Sequence, residues 1–207
     1  MQFEKGFLYH IYNQGNNHQK IFFSKENYLY FLKKIRIHIL PYADIIAWCL
    51  MPNHFHLMVL VNRVDYPKSE SSEGFAPSET LAKKPPNGTF NHSIGVMLRS
   101  YTNAINKKRN RSGSLFRKNT KAECVNCFKG LTPGFIEKDG VTQNSLLITE
   151  SQYPQVLFNY IHQNPVKAGL VKNETEWEFS SASDYTGFRH GTLINKKVAA
   201  EYVNIGE

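Results

Sequence analysis

Residues 44–61 constrain this chain more than any other stretch. Two strongly apolar segments, Asp44-Ile-Ile-Ala-Trp-Cys-Leu50 and His54-Phe-His-Leu-Met-Val-Leu-Val61, flank Met51-Pro52-Asn53. Each segment has the length of a strand, and proline breaks the run between them, so the pattern predicts a β-hairpin. Residues two apart on a strand point to the same face. His54 and His56 therefore project together, while Phe55, Leu57, Val59 and Val61 share the opposite side and can anchor it in a core. Each neutral imidazole offers one lone pair, so two side by side make half of a metal site. The plainer alternative is a pair of polar surface histidines that alternate by chance.

The flanking segments suggest how the hairpin is packed. Residues 7–13 alternate as a strand, and 14–17 read as a turn. Over 26–40, Leu29, Leu32, Ile35 and Ile39 recur at helical spacing, with Ser24 as the expected N-cap and Pro41 as the stop. Residues 62–91 carry Pro67, Pro77, Pro85 and Pro86 among Ser, Glu and Lys, which predicts an exposed, flexible insertion. A second helix over 93–107 is marked by Ile94, Met97, Leu98, Tyr101 and Ile105. Residues 111–114 form a turn, a short strand begins over 115–117, and 124–144 reads as a second irregular insertion. A third helix over 153–163 is expected to close at Asn164-Pro165. With no internal repeat, the pattern predicts one domain over 1–207. Its class is α+β, an antiparallel sheet with helices packed mainly on one face.

Length and composition set the outer bounds. A chain of 207 residues with 41% hydrophobic content can bury one good core. No apolar run is long enough to span a bilayer, and residues 1–6 lack the pattern of a secretory signal, so a soluble cytoplasmic protein with no membrane partner is expected. The net charge of +8 and pI near 9.3 favour polyanionic partners. The cations Arg99, Lys107, Lys108, Arg109, Arg111, Arg117, Lys118 and Lys121 follow one another with no acidic residue between them, and Tyr101 and Phe116 are interleaved. That is the footprint of a groove that tracks a nucleic-acid backbone with stacking platforms; a solvated helix end is the alternative. Three cysteines, Cys49, Cys124 and Cys127, are too few for a disulfide framework. Cys124 and Cys127 form half of a zinc motif with no second pair, and are expected to be ordinary thiols; His92 or His162 could complete a zinc site only by accident of folding.

Tyr160 and Asn164 are four apart on the third helix, so a phenol and an amide share one face. A metal held by His54, His56 and one amide would keep positions open for phosphate oxygens and align a phosphodiester for in-line attack. A free phenol, with a pKa of about 10, is a poor nucleophile at neutral pH, and a nearby cation favours its phenolate.

Met51-Pro-Asn-His-Phe-His-Leu-Met-Val-Leu60 resembles the HUH segment of single-tyrosine transposases of the insertion-sequence-200 group. Tyr160-Ile-His-Gln-Asn-Pro-Val-Lys-Ala-Gly169 resembles the tyrosine helix of their REP-associated branch. Tyr9-His-Ile-Tyr-Asn-Gln-Gly-Asn16, Arg111-Ser-Gly-Ser-Leu-Phe116 and Trp177-Glu-Phe-Ser-Ser181 match in the same order, and together these segments cover most of the chain outside the two insertions. The resemblance implies a ferredoxin-like or RRM-like core with the histidine pair on a central strand. It implies Mg²⁺ or Mn²⁺, held by His54, His56 and Asn164, with Gln163 as the rival amide. It implies Tyr160 as nucleophile, with Tyr101 as a less suitable rival on an apolar helix face. The implied substrate is single-stranded DNA with hairpin or palindromic repeats, met by Asn13, Asn16, the basic residues above and Lys167. Relatives include monomers and domain-sharing dimers, so a homodimer is one expected assembly. The alternative function is a module of the same fold that binds single strands and has lost catalysis.

Overall fold

The computed structural model describes residues 2–66, 88–127, 134–138, 141–145 and 152–205. In chain order the elements are β1 (Leu8–Gln14), α1 (Lys25–His38), β2 (Ala43–Met51), β3 (His54–Val61), β4 (Asp65–Tyr66), β5 (Gly88–Thr89), α2 (Phe90–Lys108), β6 (Lys121–Cys124), β7 (Gly134–Lys138), β8 (Val141–Ser145), α3 (Tyr153–Lys167), α4 (Ala182–Tyr185) and α5 (Lys196–Ala199). The main sheet has the order β2-β3-β1-β6, and every neighbouring pair is antiparallel. With α1 and α2 as connections this is the βαββαβ arrangement of a ferredoxin-like sheet. The hairpin and the whole of β3 fall where the alternation placed them.

Pleating divides the side chains between two cores. Tyr9 and Ile11 of β1 and Phe55, Leu57, Val59 and Val61 of β3 pack with Phe31 and Ile35 of α1 and Met97 and Tyr101 of α2. Leu8 of β1 and Met58 of β3 pack instead with Leu157, Phe158 and Ile161 of α3. Helices α1 and α2 therefore share one face, and α3 lies on the other. The Trp177–Ser181 segment runs along the outer edge of β2: Phe179 O accepts from Leu50 N at 2.8 Å and Ser181 N donates to Trp48 O at 2.9 Å. These bonds cover an edge that would otherwise offer unpaired backbone groups.

Several expected boundaries move. The insertion expected over 62–91 is tied at both ends, because β4 pairs with β5 and α2 begins at the fully buried Phe90. Thr89 caps α2 through its side chain, which accepts from His92 N at 3.1 Å. Residues 67–87, where flexibility was expected, lie outside the described residues. The strand expected over 115–117 is a single bridge from Phe116 to Gly15, and the sheet member is β6. Leu115 and Phe116 serve as core anchors instead. Within 124–144, Cys124 belongs to β6 and the strands β7 and β8 pair antiparallel. The Asp139-Gly140 dipeptide that separates those strands in sequence is a hairpin signature. Residues 128–133 and 139–140 of that insertion lie outside the described residues.

His38 closes α1 in the interior, where Ser93 Oγ donates to its carbonyl at 2.9 Å. Burial first, and Lys34 second, hold its pKa below the ordinary 6.5. The folded protein thus keeps His38 neutral where the unfolded chain binds a proton. Its contribution is complete above the unfolded value and is lost as pH falls through that value toward the folded pKa. Denaturant unfolding should show stability declining below about pH 6.5, and His38→Gln should flatten part of that decline; an unchanged slope would refute the assignment.

Candidate functional site

The α3 side of the sheet carries Leu8, His10, Tyr12 and Gln14 from β1 and His54, His56 and Met58 from β3. The register sets Tyr12 opposite His56 and Gln14 opposite His54. The two imidazoles expected to share a face do so, with ring centroids 5.0 Å apart and planes at 82°.

Each imidazole is fixed by a neighbour. His54 Nδ1 pairs with Asn53 Oδ1 at 2.7 Å. Burial lowers the His54 pKa, and a side-chain hydrogen bond to Asn164 opposes that shift. The Asn164 amide nitrogen donates to Tyr160 O one turn back, at 3.2 Å. His56 is 5% exposed, and its Nδ1 lies 2.8 Å from His10 Nε2. Burial, then His10 and His54, hold His56 well below the usual imidazole range, and burial pushes His10 down to about 3. His56 Nε2 is buried with no hydrogen-bond partner among the described residues.

Helix α3 brings in the phenol. Pro154 stands in its first turn, and Leu157, Phe158, Ile161, His162 and Pro165 are its buried residues. The expected stop at Asn164-Pro165 is corrected: the helix runs through Pro165 to Lys167. Its end is built by Gly169 at φ +67°, with Gly169 N donating to Val166 O and Leu170 N to Pro165 O, both at 2.9 Å. This is the Schellman closure that a left-handed glycine permits. Residue 164 therefore keeps helical geometry, and Tyr160 and Asn164 stay one above the other. Tyr160 is 40% exposed, and its ring stands 5.4 Å from His56 at 79°. Lys167 Nζ lies 5.5 Å from the same ring.

The rivals fall elsewhere. Tyr101 is fully buried and donates to Ile21 O at 2.8 Å. Gln163 is exposed, whereas Asn164 bonds to His54. His162 points inward to Ser181 Oγ at 2.7 Å. Cys124 and Cys127 are joined as a disulfide, which corrects the expectation of two thiols. Val125 N donates to Leu8 O and Asn126 Oδ1 accepts from Leu8 N, so the chain bends tightly between the two sulfurs.

The basic stretch is divided by the fold. Lys107, Lys108 and Arg109 sit at the C-terminal end of α2, the end that leads into β6 and toward His54. Arg111 is partly covered, and Arg117, Lys118 and Lys121 are exposed. Arg117 N donates to Gln14 O, and Gly15 N to Asn53 O, so this segment borders the histidines. Arg99 is exposed but lies more than two turns back along α2. Asn16 Nδ2 reaches Ser114 O at 3.4 Å in the exposed turn beside Arg117. Asn13 differs from the expected DNA contact: it is 4% exposed and faces away from the histidines. Its amide donates to Arg117 O at 3.2 Å and Thr120 Oγ1 at 2.9 Å.

Two members of the cluster escaped the sequence reading. His10 and Tyr12 alternate in β1 just as the histidines do in β3, but their meeting with His56 depends on strand pairing. Tyr12 donates to Glu123 Oε1 of β6 at 2.6 Å, and burial followed by that bond raises its pKa.

Among the described residues no group of three or more His, Cys, Asp or Glu side chains is arranged to hold a metal. The candidate donor set is two imidazoles and one amide oxygen. No helix among the described residues is long and apolar enough to cross a membrane. No family model matches the chain, and no curated protein does. A solved structure of a REP-associated tyrosine transposase bound to a REP hairpin is similar at a TM-score of 0.49 and 17% identity, covering 100% of this chain and 90% of that one.

Asn13→Ala should lower stability by about 1–3 kcal/mol through the partners it leaves unpaired. Denaturant titration checks this, and an effect below a few tenths would show that the bracing is dispensable.

Proposed function

We propose that this chain is a metal-dependent endonuclease and strand transferase of single-stranded DNA, with Tyr160 as nucleophile and hairpin or palindromic repeats as substrate. One observation carries the reading: an exposed phenol, two imidazoles and a helix amide converge at one end of the sheet. The motif resemblance of residues 51–60 and 160–169 points the same way.

The donor set fits a divalent cation. His56 Nε2 is buried and unpartnered, which is costly for a polar atom unless something binds it. His54 directs one ring nitrogen at Asn53, and the Asn164 side chain acts on the same ring. An imidazole whose second nitrogen is held by an outer partner is the usual arrangement of a metal-ligating histidine. His54, His56 and Asn164 would hold the ion. A bound Mg²⁺ or Mn²⁺ would polarise the scissile phosphate and favour the phenolate.

The chain's own groups do the rest. Tyr160 Oη attacks phosphorus, and the P–O3′ bond breaks in line. The phenol proton is lost to solvent, and the departing oxygen takes up a proton as a free 3′-OH. The product is a 5′-phosphotyrosine. Another 3′-OH reverses the step and joins a new strand without an external energy source. Lys167, close to the phenol, offers charge to the non-bridging oxygens. Arg117, Lys118, Lys121 and the end of α2 offer charge to the flanking backbone.

Incubated with a single-stranded hairpin oligonucleotide and Mn²⁺, the protein should form a covalent adduct that mass spectrometry locates at Tyr160. Tyr160→Phe should abolish the adduct and keep binding. Adduct on Tyr160→Phe sinks the nucleophile assignment; binding without adduct in the wild type favours an inactive binding module. DNA affinity should fall steeply with salt, by a log–log slope of about 0.7 per phosphate neutralised. Arg117→Ala with Lys118→Ala should reduce that slope, and a flat salt response would contradict the groove.

A further inference from the structure

His10 has no place in the chemistry just described, yet its bond to His56 is the most enclosed polar contact of the site. His10 is 6% exposed and His56 5%. Their rings stack at 5.0 Å with 24° between planes, and the His10 ring also stacks on Tyr12 at 4.6 Å. His10 faces Met58 in the ladder, so it reaches His56 along the diagonal of the β1–β3 pair.

Two neutral imidazoles 2.8 Å apart share one proton between His10 Nε2 and His56 Nδ1. In one arrangement His10 donates; His56 must then carry its own proton on Nε2. That nitrogen is buried and has no acceptor among the described residues, and a buried donor left unmade costs about 1–3 kcal/mol. In the other arrangement His56 Nδ1–H donates to His10, and Nε2 keeps a bare lone pair. His10 then holds its proton on Nδ1, and no His10 nitrogen stands among the buried unpartnered atoms of the described residues. The second arrangement exchanges an orphaned N–H for a bare lone pair, the rarer defect for the commoner one in buried sites, and it is the one in which His56 can act as a ligand.

We propose that His10 is a positioning residue, which accepts the Nδ1–H of His56 and so fixes both the ring and the tautomer that presents the Nε2 lone pair to a divalent cation. The ligand role of His56 rests on the metal reading above, whereas the tautomer is a property of the metal-free protein. His10 acts through His56 and touches neither metal nor DNA in this scheme. Carbonyls and carboxylates commonly perform this outer task for metal-bound imidazoles; here a second, stacked imidazole does it. The stack with Tyr12 and the strand backbone prevents His10 from turning away.

The test has two readouts. Long-range ¹H–¹⁵N correlation spectra of the metal-free protein should show His56 protonated at Nδ1 and bare at Nε2. In His10→Leu that preference should be lost, and in His10→Gln, whose amide can still accept, it should be retained. Calorimetric titration with Mn²⁺ alone should give about 10–100-fold weaker binding for His10→Leu, with His10→Gln close to wild type. His54→Ala serves as the control for the metal site. If His54→Ala binds Mn²⁺ as well as wild type does, the metal reading fails, and the tautomer spectra still decide what His10 does. If His54→Ala loses the metal but His10→Leu binds normally, or if wild-type His56 is protonated at Nε2, the role of His10 is overturned.

Discussion

The antiparallel ladder between β1 and β3 positions the imidazoles of the site, and the reason lies on the opposite side of the sheet. Phe55, Leu57 and Val59 are fully buried beneath α1 and α2, each worth about 1.5–3 kcal/mol relative to exposure. A slip of one residue would carry these side chains to the α3 face and drive His54 and His56 into the apolar core. The same ladder sets Tyr12 opposite His56 and brings His10 onto its diagonal. The site is therefore located by hydrophobic burial that takes no part in its chemistry.

Helix α3 supplies the second constraint. Its apolar flank packs on Ile46, Cys49 and Met51 of β2 and on Met58 of β3, while Tyr160 remains exposed at the border of that contact. Termination at Gly169 rather than at Pro165 has a direct consequence. Asn164 keeps its place over Tyr160 within a regular turn, and one rigid element carries both the phenol and the amide. Had the helix ended at Asn164, the relation between those groups would have depended on a loop.

Much of this was legible locally. The HxH alternation gave the limits of β3 and the shared face of the histidines, because a period of two is written into adjacent residues. The apolar spacing in 26–40 and 93–107 located α1 and α2 to within a few residues. What was not legible depends on partners distant in sequence. His10 is an ordinary strand residue until β3 lies beside it. Asn13, one position further round the pleat than Tyr12, faces the wrong side for a ligand contact and braces residues 117–120 instead. Pro165 misled because its local preference against helix is real, but burial of its ring and the closure at Gly169 outweigh it. The basic stretch, continuous in sequence, is divided because α2 carries Arg99 far from the end where Lys107, Lys108 and Arg109 lie.

The enclosed imidazoles also bear on why the fold tolerates such a site. Burying His10 and His56 gains little by transfer from water, and an unpartnered Nε2 is a liability in a protein that does nothing else with it. Folds retain such local conflicts where they serve chemistry, and stability supplied elsewhere offsets them. Here the offset comes from the core between the sheet and α1 and α2, where Phe31, Phe55, Tyr101 and Phe116 pack on one another. That aromatic cluster grips β3 from behind. The strand can then hold its polar face rigidly, and on the metal-binding proposal the cost of ordering its imidazoles falls on folding rather than on binding.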